Sequence, residues 1–331
     1  MLAVNIKSFG GPEQLELIDL PAPQPGPEEI IVDVYCTALN RADLLQRAGR
    51  YPPQADESPI LGLEMAGVVK ALGSRVQKWK IGDRVCGLLG GGGYAAQCKI
   101  HQDMALPIPN GLTYQQAAAI PEVFLTAFQA LHWIGKIEEQ DRVLIHAGAS
   151  GVGTAAIQLA ALVNAHIIVT ASKAKHQLCF DLGAKHCIDY HHQSFVEVVK
   201  KITEEEGVNV LIDFIGAPYF TDNLNCLALD GRMVMLAFLG GAKLQNDLNL
   251  ATLLRKRIQV TGSTLRLRSM DYKIQLSKAL QAYSWPHFEQ GKLRPIIDSV
   301  FPIEQVVAAH QRMEANLNSG KIILELKPEH A

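Results

Sequence analysis

The sequence predicts an α/β protein in which a doubly wound parallel sheet sits beside a second, β-rich domain. Three observations lead there. The stretch Arg142 to Ala165, RVLIHAGASGVGTAAIQLAALVNA, reads as an apolar strand, a turn of small residues and a helix. Strand-like and helical segments alternate after it as far as Ile258–Ser263, the pattern of a parallel sheet covered on both faces. Residues up to about 120 instead carry short strand-like runs with turn residues between them.

In the first region, Leu2–Val4, Leu15–Leu17, Ile30–Tyr35, Glu64–Leu72 and Asp83–Leu89 are strand-like. Pro21, Pro23, Pro25 and Pro27 break the chain between the second and third. Gly90–Gly93 reads as a flexible turn over a site. Thr113 caps a helix starting at Tyr114, with Gln116 at the capping-box position, and Leu125–Ile134 is a second helical stretch.

The central region opens on strand Val143–Ala147. After its helix come strand His166–Ala171, helix Lys173–Leu182 stopped by Gly183, strand Cys187–Tyr190, and a helix capped by Ser194 and running to Glu206. Val208–Ile215, Met233–Phe238 and Ile258–Ser263 are further strands. The tail reads as helix Asp271–Phe288, strand Ile296–Phe301, helix Glu304–Met313 and strand Lys321–Leu326.

The small-residue turn has a physical use. A turn of this kind lets backbone approach a pyrophosphate, and the helix after it offers unpaired N–H groups and positive partial charge. Gly148, Gly151 and Gly153 are present, but Ser150 stands at the second glycine of G-x-G-x-x-G. An NAD site carries an acidic residue roughly 20 positions past the first glycine, to bind ribose hydroxyls. No Asp or Glu occurs here between Gly148 and Asp181; Ser172, Lys173 and Lys175 follow the second strand, and Tyr190 ends the third. Hydroxyls and a lysine hold a 2′-phosphate that a carboxylate would repel, so the expected cofactor is NADPH.

The totals exclude several classes. The 331 residues are 48% hydrophobic and 19% charged, enough for about two domains. A net charge of −2 leaves no basic excess for nucleic acid or for an anionic membrane surface. No charged leader precedes a long apolar run, and no apolar stretch approaches a span of roughly 20 residues. The six cysteines form no C-x-x-C pair, so free thiols in a reducing, cytoplasmic setting are expected. His191–His192 reads as a surface pair, with no cysteine or carboxylate at ligand spacing, and His101 and His146 as structural.

Several stretches together resemble the zinc-free quinone oxidoreductase branch, of the zeta-crystallin type, in the medium-chain dehydrogenase/reductase superfamily. They are ALNRADLLQRAGRYPP (38–53), PILGLEMAG (59–67), AAAIPEVFLTAFQAL (117–131), LIHAGASGVGTAAIQLA (144–160), NCLALDGR (225–232) and MEANLNSGKIILEL (313–326). The resemblance implies a GroES-like β-rich catalytic domain from residues 1–122 and 268–331, and a Rossmann NADPH-binding domain from 123–267, with the active cleft between them. It also implies a homodimer, with the last Rossmann strand, around Val260, as the edge.

Zinc alcohol dehydrogenases of the superfamily carry a catalytic cysteine before an Arg-x-Asp sequence and a histidine before a Glu. The matching positions are Asn40, before Arg41-Ala42-Asp43, and Leu63, before Glu64. Amide and alkyl groups do not replace thiolate and imidazole as zinc ligands, so no metal is expected. Asn40 and Tyr51 match polar residues at the nicotinamide end of the family's cleft. Asn40 would orient the cofactor amide or the substrate carbonyl, unless it closes the turn before Arg41, and Tyr51 would donate to oxygen as charge develops. Glu64 is expected to be structural. Thr126 is expected to reach a cofactor phosphate or ribose. Ser150, Gly151, Val152 and Gly153 should contact pyrophosphate, Ser172, Lys175 and Tyr190 the 2′-phosphate, and Phe238, Leu239 and Gly240 the nicotinamide side. Asn316 falls where bacterial relatives tend to have arginine, so its adenosine contact departs from the family pattern.

The expected reaction is hydride transfer from nicotinamide C4 to a small-molecule quinone, which needs no dedicated strong acid. Reduction of an activated double bond in an enal or enone is the alternative. A non-catalytic NADPH-binding sensor or structural protein is a third reading.

Overall fold

A computed structural model describes residues 1–244 and 249–328. The chain divides into two units, Thr126–Arg268 and Met1–Leu125 with Ser269–Ala331. Residues 329–331, the end of the second segment expected for the GroES-like domain, lie outside the described residues.

The central unit holds six strands: β8 (Arg142–Ile145), β9 (His166–Thr170), β10 (His186–Ile188), β11 (Val208–Asp213), β12 (Leu227–Met235) and β13 (Gln259–Gly262). Their order is β10-β9-β8-β11-β12-β13, and every pair is parallel. This is the doubly wound order in which the topology reverses between the first strand, β8, and β11; ligands of such sheets bind at the carboxyl ends there. Leu144, Ile168, Ile188 and Leu211 from four strands pack with Phe195, Val199 and Leu224 from covering helices. Strands buried on both faces need such continuous apolar runs.

The other unit holds two antiparallel strands, β1 (Leu2–Ile6) and β2 (Leu15–Asp19), and a seven-stranded sheet. That sheet contains β3 (Glu29–Ala38), β4 (Glu64–Leu72), β5 (Arg84–Leu88), β6 (Gln97–His101), β7 (Ala105–Pro107), β14 (Ile297–Pro302) and β15 (Lys321–Glu325). Its path runs β14-β15-β3-β4-β5-β7, with β6 also on β3. Residue Ile323 of the C-terminal strand thereby pairs with Ala38. Both chain ends build one unit because their strands share one sheet.

Several expectations need correction. Residues 90–93 are packed, not a flexible turn: Gly92 N–H donates to Ile60 O at 2.7 Å and Gly93 N–H to Gly62 O at 3.0 Å. The helix expected from Leu125 begins at Pro121 and becomes a π-helix over Gln129–Ile134. The Ser194 helix ends at Ile202, where the Thr203 hydroxyl bonds Val199 O and Glu204 and Glu205 turn to positive φ. Strand β12 stops at Met235: Leu236 N–H donates to Asp213 O as the last rung of the β11–β12 ladder, and Leu239 and Gly240 then bond the loop after β11. Strands β6 and β7 and helices Ala217–Cys226 and Ala251–Lys256 had no expectation attached. Among the described residues, no helix is long and apolar enough to cross a membrane.

Buried histidines set the acid response. Burial pushes His146 down to about 4 and His310 down to about 3, from an ordinary 6.5. Their contribution to stability is complete above pH 6.5 and is lost as pH falls toward those values. Burial pushes Asp43 the other way, up to about 6 from 3.8, so its contribution is full below 3.8 and is lost as pH rises through 6. Burial also pushes His132 down to about 4 and Asp213 up, so three histidines stand against two carboxylates. The urea midpoint of unfolding should therefore fall from pH 7 to pH 5; a midpoint equal or higher at pH 5 would contradict this account.

Candidate functional site

In the central unit the turn after β8 forms for steric reasons. A Cβ on Gly153 would lie 2.4 Å from Ala147 O and 2.6 Å from Gly148 O, so only glycine lets the helix start this close to the strand end. Ser150 is extended and caps the helix Gly151–Leu162, its hydroxyl accepting from Gly153 N–H at 3.0 Å. The N–H groups of Gly151 and Val152, in the first turn, have no acceptor within the helix. The residue breaking the glycine fingerprint thus serves as the helix cap, and two donors remain for an anion.

Behind this turn lies a polar network. His146, fully buried, donates from Nε2 to Asn223 Oδ1 at 2.8 Å, and its Nδ1 accepts from the Thr170 hydroxyl at 3.1 Å. Only a neutral ring fills both roles, in keeping with its lowered pKa. Ala147 N–H also donates to Thr170 Oγ1. Beside it, buried Asp213 accepts from Ile215 N–H at 2.9 Å and Gly216 N–H at 3.0 Å. Gly216 has φ +85, and a Cβ there would sit 2.6 Å from the Phe238 ring. Leu239 and Gly240 donate to Phe214 O and Ile215 O, so this loop is held at the carboxyl ends of β11 and β12. Phe238 and Leu239 are more than half exposed there.

At the carboxyl end of β9, half-buried Ser172 opens a short 3-10 turn, Lys173–Lys175, followed by helix His176–Asp181. Lys173 is exposed and Lys175 half-buried. Exposed Tyr190 follows β10 and stacks on His191 with centroids 4.2 Å apart. His192 does have a carboxylate at hand: Asp189 Oδ2 lies 2.7 Å from its Nδ1. Ser150, Gly151, Val152, Gly153, Ser172, Lys175, Tyr190, Phe238, Leu239 and Gly240 therefore lie at or just beyond the carboxyl ends of one sheet. Thr126, buried on the helix Pro121–Phe128, begins the same unit. These features fit a dinucleotide: open helix N–H groups, a cradle a Cβ would fill, and a lysine with a hydroxyl where a carboxylate would otherwise stand.

The two-segment unit holds Asn40, Tyr51 and Asn316. Asn40 precedes helix Arg41–Arg47 and is buried. Its amide nitrogen donates to Glu64 Oε1 at 2.8 Å and Ala38 O at 3.3 Å, and its oxygen accepts from Lys321 at 2.6 Å. Both amide donors are thus spent inside the protein. Lys321 also donates to Leu39 O at 2.7 Å and pairs with Glu64 Oε1 at 2.7 Å. The other Glu64 oxygen accepts from Glu122 N–H at 2.9 Å, at a helix N-terminus. Glu64 is fully buried and Lys321 is 3% exposed. An internal ammonium therefore lies against Asn40. Lys321 had no signal in the sequence, being one lysine at the edge of an apolar strand. Tyr51 is half-buried in the loop after Arg41–Arg47. Asn316, at φ 55, accepts from Arg41 at 2.7 Å, so an arginine from elsewhere in the chain stands beside it. Among the described residues, no group of three or more His, Cys, Asp or Glu is placed to hold a metal.

Breaking a buried ion pair leaves a charge without compensation. Lys321→Met should lower stability by about 3–5 kcal/mol, and adding Glu64→Gln should recover part of the loss. Denaturant unfolding of the single and double variants checks this; an additive double variant would refute the coupling.

Residues 26–110 match the alcohol dehydrogenase GroES-like domain family and residues 151–281 the zinc-binding dehydrogenase family. The chain is 33% identical to human synaptic vesicle membrane protein VAT-1 homolog, over 98% of this chain and 86% of that protein. It is 31% identical to the quinone oxidoreductase of Lama guanicoe, over 99% and 98% of the two. The crystal structure of Escherichia coli quinone oxidoreductase complexed with NADPH superposes with a TM-score of 0.89 at 28% identity, covering 98% of this chain and all of that one. Similarity of this depth along nearly the whole length leaves one conclusion: the chain belongs to the medium-chain dehydrogenase/reductase superfamily of oxidoreductases.

Proposed function

We propose that the chain is an NADPH-dependent, zinc-independent quinone oxidoreductase. The observation carrying this reading is the pairing of Ser172 and Lys175 at the end of β9 with the open first turn of helix Gly151–Leu162. The quinone oxidoreductase relatives support the substrate class, one of them solved with NADPH. Zinc independence is supported by Asn40, whose amide is engaged by Glu64, Ala38 and Lys321, and by the alkyl group of Leu63.

When bound, the coenzyme supplies the hydride. Gly151 and Val152 N–H groups hold pyrophosphate, and Lys175 with Ser172 and Tyr190 holds the 2′-phosphate. Phe238 and Leu239 offer apolar surface that keeps water from the nicotinamide side. Tyr51 donates a hydrogen bond to the quinone oxygen as charge develops on it. Asn40 acts through the buried pair, fixing the start of helix Arg41–Arg47 and with it the loop that carries Tyr51. The exposed edge of β13, including Val260, offers backbone pairing to a second copy, and sedimentation would read a dimer.

Turnover of NADPH with 1,2-naphthoquinone should exceed turnover with an enal. Faster enal reduction would make activated double bonds the substrate class, and binding without turnover of either would end the enzyme reading. Lys175→Ala should raise KM for NADPH by about tenfold, the worth of one charged hydrogen bond, and leave KM for NADH nearly unchanged. Equal changes would remove the cofactor assignment. Tyr51→Phe should lower kcat by about tenfold or more with little change in KM.

A further inference from the structure

At the amino ends of β8, β9 and β10, the far end of the sheet from the coenzyme turn, lies a cavity of about 270 Å³. Arg142, His166, Ile168, Lys185, His186 and Ile202 line it. Strand register explains why these side chains meet. Arg142 pairs with His166 in the β8–β9 ladder, and Ile168 with His186 in the β9–β10 ladder. Paired residues, and residues two apart on a strand, share a face, so all four project from one side of the sheet. Helix Phe195–Ile202 covers that side, because Ile168 packs with Phe195 and Val199. The helix stops at Ile202, and Glu204 and Glu205 leave it at positive φ. The polar row at the strand starts is left without a helix over it.

The lining is cationic. Arg142 and Lys185 carry full charges, and two imidazoles lie beside them. Arg142 spends Nη1 on Glu206, which offsets one charge, while its Nε–H is buried without an acceptor. His166 Nε2 bonds Gln140 Oε1 at 2.8 Å. Neither the Lys185 ammonium nor the His186 ring has a polar partner among the described residues. The carboxylates of the loop before β8 are engaged elsewhere: Glu139 accepts from Asn164 at 3.2 Å and Asp141 from Arg232 at 2.8 Å. Two of the helix's last carbonyls are also taken, Val199 O by Thr203 N–H and Lys200 O by Glu205 N–H. A buried N–H without an acceptor is costly, and an oxyanion on the guanidinium would remove that cost.

We propose that this cavity binds a small phosphate monoester, at a site separate from the coenzyme turn. The phosphate dianion lies between the Arg142 guanidinium and the Lys185 ammonium. The guanidinium edge that carries Nε donates to it as a fork. His166 and His186 flank it, and the organic part of the ester rests on Ile168 and Ile202. Pockets for drug-sized molecules run from about 300 Å³ upward, so this one takes a phosphate with a single ring or short chain and excludes a dinucleotide. The four residues of β8, at about 3.3 Å each, keep it apart from the turn that follows that strand.

Calorimetric titration of the full chain with phenyl phosphate, which carries both a dianion and an apolar ring, tests the proposal. One site per chain with a sub-millimolar Kd is expected. Inorganic phosphate, which lacks the ring, should bind about tenfold more weakly. Lys185→Glu, at an exposed position, should weaken phenyl phosphate by about tenfold or more, and Lys175→Ala should leave it unchanged. Arg142→Lys, which keeps the charge and loses the fork, should also weaken it. Equal affinity for the ester and inorganic phosphate would mean an adventitious ion only and would overturn the site. Binding lost in Lys175→Ala and kept in Lys185→Glu would put the anion at the coenzyme turn and overturn it too, as would no binding at millimolar ligand. The titration uses neither coenzyme nor turnover, so its outcome is separate from the NADPH reading.

Discussion

The buried contact between Lys321 and Glu64 holds the two-segment unit together. Neither charge tolerates burial alone, since removing an ion from water costs several kcal/mol even after relaxation. Each is satisfied by several partners: Lys321 by Glu64, Asn40 and the Leu39 carbonyl, and Glu64 by Lys321, Asn40 and the Glu122 N–H. The contact joins β15, near the chain's end, to β4 and to the start of helix Arg41–Arg47 near its beginning. A chain interrupted by a whole domain therefore closes on one specific polar arrangement as well as on apolar packing.

The same arrangement changes how Asn40 acts. In zinc alcohol dehydrogenases of the superfamily the matching position carries a metal ligand. Here its amide completes an internal network around an ammonium group. The positive charge at this place comes from the chain itself, covalently fixed and nearly sealed from solvent. Asn40 accordingly fixes the start of helix Arg41–Arg47, where its N–H donates to Asp43 Oδ2 at 2.7 Å.

In the central unit a second polar network serves a related purpose. His146, Thr170 and Asn223 join β8, β9 and the helix after β11 directly behind the small-residue turn. Asp213 ties down the loop that follows its own strand. Buried hydrogen-bonded groups at the topological switch point keep the turn, the helix N-terminus and the Phe238 loop in fixed relation. A site made largely of backbone donors depends on such support, because a backbone N–H is aimed only by the fold that carries it.

What the sequence determined by itself was local. Strand, turn and helix around Gly148–Gly153, the Thr113 and Ser194 caps, and the stop at Gly183 were legible because each depends on residues within one or two turns of chain. The missing carboxylate after β9 was legible for the same reason. Tertiary structure decided what distant residues share. Lys321 looks like any lysine at a strand edge until β15 places it beside Glu64, and Asn316 meets Arg41 only when both chain ends join. The glycine run 90–93 looked mobile because its partners, Ile60 and Gly62, lie some thirty residues earlier. Strand ends misread at Phe238, and the helix end misread at Glu206, were set by hydrogen bonds no periodicity reports. Hydrophobic spacing encodes which face of an element is buried; only the folded chain decides which polar groups meet there.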